Sequence, residues 1–260
     1  MAKTKFEYRL FISEAVGTGL LLFFGLSVVI FNWGEGTIVE MLIPSHGLRS
    51  AITGFLFGTV GCLVTISPVG KISGAHINPA VSLAFWLRGK INKFTFLGYV
   101  ISQMVGAALG CLPLLLWGHQ GKSIQYAITL PGSGGVAEAF TGEVITTAFL
   151  IIDLYFFIGI KKLRKYTPFT MPFLYGFMVW AESEYSGCST NPARSFGPAF
   201  ISGNYTFFWL YVAAPFTGVF IVTGLFSIFR LNRLYKMKAA RVSYHNSPTS
   251  GSLQLGLSSE

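Results

Sequence analysis

Six long apolar stretches with almost no charge restrict the possible folds of this chain more than any other feature. A helix needs about 20 mostly apolar residues to cross the roughly 30 Å of hydrocarbon in a bilayer. The stretches span residues 10–32, 50–70, 94–118, 137–160, 166–181 and 205–229. Only 11% of the 260 residues are charged, against about 25% in soluble domains, and so few charges cannot cover a soluble surface. The sequence therefore predicts an integral membrane protein with six spans.

The basic residues predict how these spans are oriented. Sixteen of the 19 Lys and Arg residues fall on one side of a six-span chain, and the positive-inside rule assigns that side to the cytoplasm. We therefore expect residues 1–8 and a disordered, Ser/Gly-rich tail at 231–260 to be cytoplasmic, and residues 119–136 to form an outer loop. The outer loops are expected to hold Glu35, Glu40, Glu182 and Glu184. The net charge of +9 follows from this asymmetry and does not indicate a nucleic-acid partner.

A ten-residue motif occurs twice, at residues 73–82 and 186–195. In both copies Ser-Gly stands five residues before Asn-Pro-Ala, and a second Ser follows four residues after the Asn. Each copy lies between the second and third of three spans, and an odd number of spans inverts the second half relative to the first. The predicted fold is all-α, with six transmembrane helices plus two re-entrant half-helices in an inverted repeat of two three-helix halves, residues 9–118 and 137–230.

The Asn-Pro pairs of the motif predict where the half-helices begin. Asn is a preferred N-cap, and Pro is favoured at the first helical position. Half-helices over about residues 78–88 and 191–201 are too short to cross a bilayer. The backbone before each must be non-helical at membrane depth, which is tolerated only where it is buried or lines a wet cavity. Inversion brings the N-termini of the half-helices together near the midplane, which predicts a pore.

Two Asn-Pro-Ala boxes in matching frames, the second followed by Arg194, resemble the aquaporin (major intrinsic protein) family. The boxes are Asn78, Pro79, Ala80 and Asn191, Pro192, Ala193, and the other matching positions are Ser73, Gly74, Ala75, His76, Glu14, Glu143, Gln103 and Gly106. The resemblance covers residues 8 to 230. It implies a passive water channel that excludes protons and ions, not an enzyme, without a cofactor. It also implies a homotetramer in a plasma or bacterial inner membrane.

The expected pore works through dipoles and a narrow filter. Two helix N-termini place partial positive charge at the midplane, where the Asn side chains also aim amide donors, so cations are repelled. Backbone carbonyls are expected to line one wall, from Gly74, Ala75, His76, Gly187, Cys188 and Ser189. By resemblance, a filter near the outer mouth combines Arg194 with residues from span two, span five and the second loop. The span-two residue is Phe57 or Gly58, the span-five residue is Val179, and the loop residue is Cys188. In the alternative interpretation, Arg194 lies outside the filter and is only anchored to loop carbonyls.

The filter residues give a mixed prediction of the permeant. Strict water channels of the family usually carry His where this chain has Val179, whereas Ser195, Ala199 and Tyr211 resemble the water type and Val212 the glycerol type. We expect water to pass together with some small neutral solutes, with glycerol, urea, ammonia and hydrogen peroxide as candidates. The alternative is a glycerol or urea facilitator with little selectivity for water.

Several residues permit two interpretations. Glu14 and Glu143 occupy matching places in the repeat, which favours a structural role in holding the loops over a proton relay. Asp153 is unmatched and is expected to line a vestibule or a subunit contact. Cys188 is expected to react with mercurials in the pore; it and the dispersed Cys62 and Cys111 predict no disulfide framework.

Two other classes of protein share parts of this pattern. A secondary transporter also uses inverted repeats and broken helices, but it usually needs a coupling charge, and neither box carries an acidic residue. An intramembrane enzyme would need a nucleophile–base pair or a metal cluster. Neither a GxSxG nor an HExxH motif occurs, and the histidines lie at no metal-ligand spacing, so no metal site is expected.

Overall fold

The computed structural model describes residues 2–229, with side chains from residue 8 onward, and all regular structure in this range is helical. The α-helices are α1 (Ala2–Trp33), α2 (Val39–Leu42), α3 (His46–Ile66), α4 (Pro68–Ser73), α5 (Pro79–Leu87), α6 (Lys93–Cys111), α7 (Gly118–Ser123), α8 (Gly135–Gly159), α9 (Thr167–Ser186), α10 (Pro192–Ser202) and α11 (Leu210–Ile228). Short 3-10 helices cover Leu112–Trp117 and Arg164–Tyr166. The predicted tail at residues 231–260 lies outside the described residues.

Five helical segments in the described part of the chain are long and apolar enough to cross a membrane. They are Tyr8–Trp33, His46–Ile66, Lys93–Ser123, Gly135–Gly159 and Leu210–Ile228. The sixth long helix, α9, has 20 residues, which span about 30 Å at 1.5 Å per residue, although it is more polar than the others. The helices therefore form a multi-pass membrane protein.

Helix α9 is longer than the stretch of residues 166–181 that the sequence predicts. The prediction that Glu182 and Glu184 lie in an outer loop is wrong, because both belong to α9. Glu182 is also buried. The helix ends at Gly187, which adopts the left-handed conformation (φ 82°) and donates its N–H to the Ser183 carbonyl at 2.9 Å. A left-handed Gly is a common helix stop.

Glycine pairs let the long helices approach closely. Gly54 and Gly58 on α3 lie against the backbone of α9, where a side chain at Gly58 would overlap the Met171 carbonyl. On α6, Gly106 and Gly110 lie in the same way against α1. Small residues four apart are typical of closely packed membrane helices. These contacts fix the positions of the helices that surround the two short ones.

The half-helices α5 and α10 begin as their Asn-Pro pairs predict. The Asn78 Oδ1 accepts the Ala80 N–H at 2.8 Å, and the Asn191 Oδ1 accepts the Ala193 N–H at 3.0 Å. With 9 and 11 residues, each is about half as long as a span. Their first turns are buried in the middle of the molecule.

Candidate pore

The loops before the half-helices share an unusual backbone. We call residues 74–77 the first loop and residues 187–190 the second loop. Ala75 and Ile77 have φ of 49° and 41°, and Cys188 and Thr190 have φ of 50° and 54°. Non-glycine residues rarely adopt this left-handed region, which costs about 1–3 kcal/mol for each. The surroundings must therefore hold both loops in place.

Glu14 holds the first loop. This fully buried carboxylate accepts the His76 N–H at 2.9 Å and the Ile77 N–H at 2.7 Å, one on each oxygen. The side chain of Gln103 donates to it at 2.7 Å. Directly before the loop, at the end of α4, the Ser73 carbonyl accepts the Tyr99 hydroxyl at 2.8 Å.

Glu143 holds the second loop in the same way. It is also fully buried and accepts the Ser189 N–H at 2.5 Å, the Thr190 N–H at 2.8 Å and the Ser186 hydroxyl at 2.8 Å. The Tyr211 hydroxyl donates to the Ser186 carbonyl at 2.8 Å, as Tyr99 does in the first half. Because both carboxylates bind loop N–H groups, their geometry supports the structural role rather than a proton relay.

The two half-helices meet through their Asn side chains. The Asn78 Nδ2 donates to the Thr190 carbonyl at 2.9 Å, and the Asn191 Nδ2 donates to the Ile77 carbonyl at 3.0 Å. A primary amide carries two N–H donors, so each Asn retains a second one. The inversion predicted from the sequence thus brings both boxes to a single point between the loops.

An inner cavity of about 70 Å³ adjoins this meeting point. That volume is several times the roughly 10–15 Å³ that one water needs. Its polar wall contains Asn78, Asn191 and His76, and the rest is mostly apolar. The buried His76 ring packs on Phe85 at 4.6 Å between centroids and lies 3.1 Å from the Ser82 hydroxyl through Nδ1. His76 therefore both lines the cavity and braces the first loop.

An outer cavity of about 230 Å³ adjoins the inner one, and Phe57 and Tyr175 line both. Four of the expected filter residues line the outer cavity: Phe57, Val179, Cys188 and Arg194. The Arg194 Nη1 donates to the Ala127 carbonyl at 2.7 Å. Arg194 thus lines the outer cavity and is also anchored to a loop carbonyl. The two interpretations of this residue, filter wall and structural anchor, are therefore compatible.

Phe57 and Gly58 occupy different places on α3. Phe57 reaches the outer cavity, whereas Gly58 lines only the inner one and lies against the α9 backbone. Phe57 therefore lies where the two cavities adjoin, and α3 also contributes Ser50, Thr53 and Gly54 to the outer one.

Of the six residues whose carbonyls are expected to line the pore, four line a cavity. Ala75 and His76 line the inner cavity, and Gly187 and Cys188 line the outer one. Neither cavity is lined by Gly74 or Ser189. Gly74 caps the C-terminus of α4 with φ of 91°. Ser189 donates its N–H to Glu143 and its hydroxyl to the Asn191 carbonyl at 3.0 Å.

Sequence reasoning missed much of the cavity walls, including Tyr175 and part of the outer loop. Tyr175 on α9 lines both cavities, and its spacing of four residues before Val179, one helical turn, could have indicated this. The outer loop also contributes Ile124, Ala127 and Ile128. These residues form no motif, so the sequence contained no signal for them.

Asp153 lies away from both cavities. It accepts the Thr170 hydroxyl at 2.8 Å and lines a groove between α8 and α9 on the lateral surface, beside the exposed Phe169 and Phe173. Among the residues that the structure describes, no group of three or more His, Cys, Asp or Glu side chains is placed to hold a metal ion.

The fold and site define a class of protein: multi-pass helical membrane channels built around two opposed half-helices. The profile of the major intrinsic protein family matches residues 1–226. The chain belongs to the major intrinsic protein family.

Curated relatives and a solved structure are similar over most of the chain. A probable aquaporin TIP2-1 from Oryza sativa is 34% identical over 81% of this chain and 83% of its own length. Aquaporin TIP1-1 from Arabidopsis thaliana is 32% identical over 81% and 85%, and aquaporin NIP1-1 from Zea mays is 31% identical over 84% and 74%. The X-ray structure of the aquaglyceroporin from Plasmodium falciparum shares the fold, with a TM-score of 0.70, 23% identity and coverage of 88% and 99%.

Proposed function

We propose that the protein is a passive pore for water that also passes some small neutral solutes and excludes protons and ions. The observation that carries this proposal is the meeting of Asn78 and Asn191 at the polar wall of the inner cavity, which the outer cavity adjoins. Each amide uses one donor to join the loops and keeps one for a permeating molecule. The half-helix N-termini add partial positive charge at the same point.

This arrangement turns a passing water molecule and repels cations. A water oxygen that accepts from both amides directs its hydrogens away from the meeting point, which interrupts a chain of hydrogen-bonded waters. A hydrated cation meets positive potential without replacement ligands, which is an electrostatic barrier of the kind that channels use for selectivity.

The outer filter supports some passage of solutes. Val179 and Cys188 present short side chains beside Arg194 in a cavity of about 230 Å³. Relatives named aquaporins and a structural neighbour named an aquaglyceroporin agree with water and small polar solutes as permeants. Glycerol, urea, ammonia and hydrogen peroxide are the solutes to test. A glycerol or urea facilitator with little water selectivity is the second candidate.

Stopped-flow light scattering on proteoliposomes tests the proposal. Vesicles with and without the protein are shocked first with sucrose, which does not permeate, and then with glycerol or urea. We expect the protein to accelerate shrinkage in sucrose, with flux linear in the osmotic gradient. Re-swelling in glycerol as fast as the water step would favour the facilitator. Saturating flux that follows an ion gradient would instead indicate a transporter, and no acceleration would contradict a pore.

We also propose the assembly and placement that the family resemblance implies. The protein is a homotetramer with one pore per subunit, in a plasma or bacterial inner membrane, with both termini cytoplasmic. Its halves are residues 9–118 and 137–230. Cross-linking in the membrane and protease accessibility of terminal tags test these statements, and an outside terminus would contradict the orientation.

A further inference from the structure

Glu182 on α9 is a buried carboxylate that takes no part in the pore described above. Its exposed fraction is 6%, and it lies one helical turn before Ser186. Among the residues that the structure describes, it is the only carboxylate whose two oxygens are both buried without a hydrogen-bond partner. An ionised carboxylate buried in this way is strongly unfavourable, and such a group takes up a proton instead. Glu182 is therefore a neutral carboxylic acid in this arrangement.

Glu182 lies beside the hydrogen bonds that hold the second loop. Its Oε1 packs so closely on Gly142, the residue before Glu143, that a Cβ there would overlap it. The polar groups of Ser186 and Cys188 are close to it as well, but their hydrogens are already in use. The Ser186 hydroxyl donates to Glu143 at 2.8 Å, and the Cys188 N–H donates to the Ser186 hydroxyl at 3.1 Å. These bonds are undisturbed as long as Glu182 is neutral.

None of the charged groups around Glu182 neutralises it. The titratable groups near it are Glu138 and Glu143 of α8, Tyr185 of α9, Cys188 of the second loop and Tyr211 of α11. Arg194 of α10 acts on Glu143 and is bound to the Ala127 carbonyl. On α3, His46 pairs with Glu184 at 3.2 Å, and Arg49 packs over the Trp33 ring. In the described part of the chain, Glu182 itself forms no ion pair.

We propose that Glu182 is a positioning residue for the second loop: its protonated form keeps the outer cavity open, and its ionised form narrows that cavity. The proposal rests on the proposed function. When the O–H bond breaks and the proton passes to water, the carboxylate needs hydrogen-bond donors. The donors beside it are the Ser186 hydroxyl and the Cys188 N–H, which now serve the loop and Glu143. Turning them toward Glu182 moves Cys188, which lines the outer cavity.

The test measures the water permeability of proteoliposomes over a range from acidic to alkaline pH, with equal pH on both sides. We expect the wild-type permeability to fall severalfold toward alkaline pH, because Glu182 loses its proton. Glu182→Gln has the same shape and cannot ionise, so it should keep the acid-side permeability at every pH. Glu184→Gln is the matched control. It makes the same change at an exposed carboxylate of the same helix, and it should keep the wild-type profile.

Three results would overturn the proposal. They are a flat wild-type profile, an unchanged profile in Glu182→Gln, and a profile that becomes flat in Glu184→Gln, which would assign the effect to the His46 pair. If Glu182→Gln does not reconstitute, Glu182→Met tests the same point with an uncharged side chain of similar length.

Infrared spectroscopy provides a readout that does not depend on flux. At neutral pH, the wild type should show the carbonyl band of a protonated carboxylic acid that is missing from Glu182→Gln or Glu182→Met. Equal bands would mean that Glu182 is already ionised and would overturn the proposal. A wild-type protein that conducts no water at any pH refutes the proposed function instead, so the two failures are distinguishable.

Discussion

At the scale of single residues, Cys188 combines a free thiol with a position on the wall of the outer cavity. It lies in the second loop with φ of 50° and lines the outer cavity beside Arg194. The other two cysteines of the chain, Cys62 and Cys111, line neither cavity. A large group bound to Cys188 would therefore occupy the path of the permeant.

Mercurials should block the pore through Cys188. We expect p-chloromercuribenzenesulfonate to reduce the water permeability of wild-type proteoliposomes to near the background of empty vesicles, because the bound group fills the outer cavity. Cys188→Ser should conduct water and resist the reagent, and a thiol reductant should restore the wild type. Undiminished block in Cys188→Ser would assign the reactive thiol to another cysteine.

The residues of the site differ in how far the sequence could predict them. Asn78 and Asn191 were predictable because N-capping is a local interaction between a side chain and the next turn of backbone. Ala127 was not, since its contribution is a backbone carbonyl that receives Arg194 across 67 residues of chain. Tyr175 was predictable in part. Its place on the helix follows from the local sequence, but its hydrogen bond to Thr190 does not.

At the scale of elements, each loop depends on one buried carboxylate. Glu143 binds two N–H groups that cannot be satisfied within a helix, since Cys188 and Thr190 are left-handed. An unpaired buried donor costs about 1–3 kcal/mol. The second loop should therefore lose its shape when this side chain is removed.

Replacing Glu143 should destabilise the protein more than it changes selectivity. We expect Glu143→Ala to lower the midpoint of thermal unfolding in detergent by at least about 5 °C, a shift that a few kcal/mol gives at this chain length. Glu143→Gln should lower the midpoint less, because the Gln amide oxygen can still accept one loop N–H. Glu184→Ala, an exposed carboxylate of α9, serves as the control. Equal midpoints for Ala and wild type would contradict the structural role.

The elements themselves were predictable where apolar length or Asn-Pro capping specified them. Both half-helices begin where the capping residues predict. The outer end of α9 was not predictable, because Glu182 and Glu184 resemble loop residues. Only the packed structure reveals that Glu182 lies between helices, where its carboxylate touches Gly142 of α8. Burial of that kind depends on neighbours far along the chain.

At the scale of the whole molecule, exclusion of cations depends on both halves together. Two helix N-termini from the two halves of the chain direct their dipoles at one point. A negative charge at that point should cancel much of the potential that repels cations.

Asn191→Asp should open the pore to cations. The carboxylate can still cap Ala193, but it loses the donor to the Ile77 carbonyl and brings a negative charge. We expect a cation current under voltage clamp where the wild type carries none. Asn204→Asp makes the same chemical change beyond the end of α10, where Asn204 contacts Gln125, and should conduct no ions. Absence of current in Asn191→Asp would argue against the electrostatic barrier.

The crossed bonds between the two boxes also have a consequence for how the chain is made. The Asn78 amide and the Ile77 carbonyl pair with the second loop, and Asn191 follows Asn78 by 113 residues. At about 5–20 residues per second, a ribosome takes roughly 6 to 23 s to synthesise that interval. During that time the first half holds polar groups at membrane depth without their final partners. The first half must therefore stay in the membrane with these groups unpaired, and the pore is complete only when the second half has been inserted.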